Sequence, residues 1–93
     1  MALDDSVCEA DLLIGHELGL HARPAALFVQ TAQRFRCKVT VGHSQQEANA
    51  KSILGVLSLG VGKGATVRVR AQGADAPEAI AALSKLVSDN FER

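Results

Sequence analysis

Two short stretches of this chain alternate apolar and polar residues with a period of two, and this pattern constrains its fold most tightly. From Cys37 to Val41 and again from Thr66 to Ala71, one side carries Cys37, Val39, Val41, Val67, Val69 and Ala71, and the other carries Lys38, Thr40, Arg68 and Arg70. Strands of this kind are apolar on one face and wet on the other, as in an antiparallel sheet covered on one side only. Leu12 to Ile14 reads as a third strand, and Gln45 to Asn49 as a short edge strand.

The cover comes from segments with a different period. From about Ala22 to Arg34 the apolar residues Ala25, Phe28, Val29, Ala32 and Phe35 recur at spacings of three and four, which predicts an amphipathic helix packed on the sheet. A second helix opens at Asp75-Ala76-Pro77-Glu78, with Asp75 as cap, Pro77 in the first turn and Glu78 completing a capping box. It runs on through Ile80, Leu83, Val87 and Phe91. A third, Ser52 to Gly60, is short, capped by Ser52 and closed by Gly60. The order β-α-β-β-α-β-α makes an α+β fold.

A chain of 93 residues has room for one such domain, here taken as residues 1–93 with 1–8 a partly ordered extension. Ten basic and ten acidic side chains cancel, and the only aromatics are three Phe, so neither phosphate attraction nor base stacking favours nucleic acid as a partner. Apolar runs such as Leu12 to Ile14 and Ala25 to Val29 are far shorter than the roughly 20 residues of a membrane span. The acidic start Met1-Ala2-Leu3-Asp4-Asp5 is unlike a signal peptide, so a cytoplasmic location is expected. Cys8 and Cys37 lie in no metal-ligand spacing and read as structural thiols.

The chemistry concentrates in Gly19-Leu20-His21-Ala22-Arg23-Pro24-Ala25. Glycine permits a tight entry and Pro24 suits a first helical turn, so His21 stands at a helix start, where unpaired N–H groups and the helix dipole attract anions. Arg23 adds a positive charge. Together they form a cradle for phosphate beside an imidazole that can serve as a nucleophile. The plain alternative is that His21 and Arg23 are polar residues at a helix cap. In Ser52 to Gly60, five apolar residues occupy two turns, more than one core-facing stripe can hold. Leu54 and Leu57 are therefore expected to be exposed and to form a docking patch.

These two segments, Gly-Leu-His-Ala-Arg-Pro-Ala and Lys-Ser-Ile-Leu-Gly-Val-Leu-Ser-Leu-Gly, are similar to the two signatures of the HPr family, in the family's order. The resemblance continues through Lys63-Gly64-Ala65 and Ala71 to Asp75 and covers roughly Asp11 to Phe91. It implies an open-faced β-sandwich, a four-stranded antiparallel sheet with three helices on one face. It also implies a phosphocarrier of the sugar phosphotransferase system, without independent turnover. His21 would accept the phosphoryl group on Nδ1 from phosphoenolpyruvate through enzyme I and pass it to enzyme IIA proteins. Arg23 would hold the phosphate, and Leu20, Ala26, Leu54 and Leu57 would dock both partners. No cofactor or metal is implied, and a monomer is expected, since a dimer would cover the docking surface.

Ser52 resembles the serine that an ATP-dependent HPr kinase modifies in some bacteria, although a helix cap explains a serine there equally well. His16, five residues before His21, has no common metal spacing and reads as a loop residue near the site. His43 lies in a polar turn and is expected to be solvated. Gly60-Val61-Gly62-Lys63-Gly64 lacks the Ser or Thr that a Walker loop needs after its Lys. Two related readings stand beside the sugar carrier: a domain of a multiphosphoryl transfer protein, suggested by the residues before Cys8, or a nitrogen-branch carrier. A regulatory binder on the same fold that carries no phosphate is a third, against which the presence of His21 argues.

Overall fold

A computed structural model describes residues 6–92. Its elements are β1 (Val7–Leu13), α1 (Ala22–Gln33), β2 (Lys38–His43), β3 (Gln46–Asn49), α2 (Ile53–Ser58), β4 (Thr66–Gln72) and α3 (Ala76–Ser88). The strands form one antiparallel sheet in the order β1-β4-β2-β3. This is the expected open-faced α+β architecture with three helices.

Alternation sets the two faces. Leu12 of β1, Val39 and Val41 of β2, and Val67, Val69 and Ala71 of β4 are buried, and they meet Ala25, Phe28, Val29 and Ala32 of α1 and Ala79, Leu83, Leu86 and Val87 of α3 in one core. The outer face is polar. Glu9 stands opposite Arg70, and Asp11 opposite Arg68. Their side chains meet at 3.3 and 3.0 Å. Exposed pairs of this kind add little to stability; their contribution is to set strand register, since a slip of one residue would bring charge into the core.

Four details differ from the sequence reading. β1 starts at Val7, well before Leu12, so Val7 and Cys8 belong to the sheet rather than to an extension; residues 1–5 of that expected extension lie outside the described residues. Alternation is weak there because the inward positions before Leu12 are the small residues Cys8 and Ala10. The capping box at α3 does not form. Asp75 is the N-cap residue but caps nothing with its side chain; its carboxylate accepts from the amides of Arg36 and Cys37, both at 2.9 Å, and ties the turn before β2 to the start of α3. Phe91 is not helical. The chain leaves α3 through Asn90 and Phe91, at φ of 56° and 62°, and Phe91 is folded into the core with its amide bonded to the Leu86 carbonyl at 2.8 Å. Finally, His43 ends β2 opposite Gln46 and is half-buried, not freely solvated.

No helix among the described residues is long and apolar enough to cross a membrane.

Candidate phosphate-accepting site

The loop leading to His21 is held from both sides. Gly19 has a φ of +66°, and a Cβ there would collide with the Val61 carbonyl oxygen and lie 2.8 Å from Gly62 Cα, so only glycine fits. The Gly19 amide donates to the His16 carbonyl and the Leu20 amide to the Val61 carbonyl, both at 2.9 Å. Leu20 is fully buried. This corrects its expected place on the docking surface: a side chain with no accessible area cannot touch a partner, and Leu20 instead anchors the loop in the core.

His21 follows as the N-cap residue of α1, in extended conformation (φ −136°, ψ 169°). Its carbonyl accepts from the Ala25 amide at 3.3 Å, while its ring is half-buried and makes no hydrogen bond to any described residue. Ala22 then adopts φ +52°, a left-handed conformation that costs a non-glycine residue about 1 kcal/mol or more. Neither the Ala22 nor the Arg23 amide has a backbone acceptor, and Pro24 has no N–H to satisfy. The helix start thus offers two unpaired amides beside an unbonded imidazole. Arg23 is exposed and forms no ion pair with a described residue. Such an arrangement can hold an anion against the ring.

A recess beside this helix start is lined by His16, Arg23, Pro24, Asn90, Phe91 and Glu92. His16 sits edge-on to the Phe91 ring, with ring centres 6.0 Å apart. No sequence pattern pointed to this contact, because it depends on the left-handed turn after α3 that brings Phe91 back.

Ser52 is the N-cap of α2, and its hydroxyl accepts from the Gly55 amide at 3.1 Å. Within α2, Leu54 is 77% exposed and Ile53 40%, whereas Val56 is buried and Leu57 is half-buried against the core. The expected exposed pair, Leu54 and Leu57, is therefore Leu54 and Ile53, because the turn of the short helix swings Leu57 toward the core. Ala26, half-buried on α1, shares a groove with Ser52, Ile53 and Leu54. Lys51 beside it reaches back to the Phe35 carbonyl at 2.6 Å, a structural tie that no motif announced. Among the described residues, no group of three His, Cys, Asp or Glu side chains is placed to hold a metal ion.

Burial pushes the Cys37 thiol up to about 11, and the Asp75 carboxylate beside it adds to the effect. The Arg36 amide in turn holds the Asp75 carboxyl below its ordinary value.

The family model for the HPr phosphorylation-site component of the phosphotransferase system matches residues 8–89. An HPr from Thermoanaerobacter tengcongensis is 47% identical and superposes with a TM-score of 0.90, over 92% of this chain and 98% of that one. The phosphocarrier protein HPr of Bacillus anthracis is 38% identical with a TM-score of 0.85, over 89% and 99%. Crh, a Bacillus subtilis catabolite repression protein described as a domain-swapped dimer, is 44% identical with a TM-score of 0.71, over 83% and 88%. Matched along nearly its whole length in sequence and in fold, this chain belongs to the HPr family of phosphocarrier proteins.

Proposed function

We propose that the chain carries a phosphoryl group on His21 Nδ1, taking it from enzyme I, which is charged by phosphoenolpyruvate, and giving it to enzyme IIA proteins in sugar uptake. The observation that carries this reading is the half-buried, unbonded His21 ring at a helix start with two unpaired amides and the unpaired Arg23 beside it. In the neutral ring, the Nδ1 lone pair attacks phosphorus, and the N–P bond forms as the donor's bond to phosphorus breaks and its electrons return to the donor. The ring proton stays on Nε2, so loading needs no general base. Delivery is the same step in reverse, with the acceptor as attacking group. Arg23 and the helix-start amides offset the charge of the phosphoryl oxygens in both directions.

Ala26, Ile53 and Leu54 form the apolar part of the surface that meets donor and acceptor in turn. A carrier that must offer one face to two partners works as a monomer, in the cytoplasm where phosphoenolpyruvate is made. Phosphorylation of Ser52 by an HPr kinase would place a dianion beside that patch and repel acidic partner surfaces there.

The test is intact mass after incubation with phosphoenolpyruvate and a bacterial enzyme I, followed by acid. One acid-labile phosphate, absent from His21→Ala, is expected. No gain with an enzyme I that loads a control HPr would remove the sugar-branch assignment in favour of the nitrogen-branch carrier. An acid-stable gain after treatment with HPr kinase and ATP, lost in Ser52→Ala, is the expected sign of the second modification.

A further inference from the structure

The recess beside Arg23, two residues on from His21, is lined by the imidazole of His16, which the phosphocarrier reading leaves unused. The Leu18 amide donates to His16 Nδ1 at 3.1 Å. A nitrogen that accepts carries no hydrogen, so in the neutral ring the proton sits on Nε2. No described residue accepts that proton. The ring is also held edge-on against Phe91, which is itself locked in the core. The result is a fixed imidazole with an unused donor, lining the same recess as Arg23. Glu92 also lines this recess and supplies negative charge, so an anion there needs more than Arg23 alone to hold it.

We propose that His16 is a positioning residue for the phosphoryl group, its Nε2–H donating to a phosphoryl oxygen while Arg23 holds another. The inference rests on His21 being the phosphorylated residue. It assigns His16 two tasks: Nδ1 shapes the turn into the loop, and Nε2 orients the group being transferred. A donor in a fixed ring loses little freedom when it bonds, which makes it suited to restraining the phosphoryl oxygens.

His16→Asn separates the two tasks, since the Asn carbonyl can still accept from the Leu18 amide while the Nε2 donor is lost. Two readouts are needed: the ¹⁵N resonance of His16 Nε2 before and after loading of His21, and the lifetime of the phosphohistidine. In the latter, water attacks phosphorus, the N–P bond breaks, and inorganic phosphate leaves with the imidazole nitrogen regaining its lone pair. The expected result is a shift of the His16 Nε2 resonance on loading and hydrolysis about three- to tenfold faster in His16→Asn. A chain that takes no phosphate on His21 overturns the carrier reading and this inference together. A fully loaded chain whose His16 Nε2 resonance does not move overturns this inference alone.

Discussion

His21 supports its helix through backbone conformation and carbonyl, not through its side chain, which caps nothing. Replacing it with Ala should therefore remove the acid-labile phosphate while shifting the thermal midpoint by no more than about 2 °C. A large loss of stability would show that the imidazole has a structural partner. Asp75 shows the opposite division, an acidic residue whose side chain holds two segments together. Its folded-state carboxyl lies below the ordinary value of 3.8. A depressed value stabilises the fold above the unfolded pKa, and that stability is lost as pH falls through the folded value. We expect the urea midpoint of the wild type to fall more steeply below about pH 4 than that of Asp75→Asn; parallel curves would remove Asp75 from acid sensitivity. That His21, Arg23 and Ser52 stand at helix starts was legible because the residues that set those helix starts are their neighbours in sequence. The buried position of Leu20 was not, since it depends on Val61, distant in sequence, accepting the Leu20 amide.

At the scale of elements, α2 shows how little periodicity decides in six residues. Ile53, Leu54, Val56 and Leu57 are equally apolar, and only the placement of the helix against β3 and α1 determines which of them see water. Leu54, 77% exposed, should tolerate Leu54→Asp with an unchanged melt, while phosphoryl transfer from enzyme I slows severalfold or more. An unchanged rate would move the docking surface off α2. Leu57→Asp should instead lower the melt, because its side chain packs partly against the core. Helix α1 was the element read most closely from sequence, since its stripe of Ala25, Phe28, Val29 and Ala32 spans two full turns.

Across the whole molecule, β4 lies between β1 and β2, and its pairing on both sides closes the core over Cys37, β2 and α3. Cys37 is 4% exposed and its thiol is raised to about 11, whereas Cys8 on the edge strand is half-buried. Burial and a scarcity of thiolate both slow alkylation. Iodoacetamide at pH 8 should thus add one adduct to the native protein, at Cys8, and a second only as the fold opens in denaturant. Rapid double labelling under native conditions would contradict a core closed over Cys37.

The sequence alone determined the periods of two and three to four, and from them the strands, the helices and the α+β class; it also determined the two linked motifs that place an imidazole, a guanidinium and a capping serine at helix starts. These are local properties, fixed by residues a few positions apart. Tertiary structure decided the length of β1, the use of Asp75 as a clamp rather than a cap, the burial of Leu20, the exposure of Ile53 in place of Leu57, and the meeting of His16 with Phe91. Each of these depends on contacts between residues far apart in the chain, whose free energy exceeds the local preference of the residue concerned.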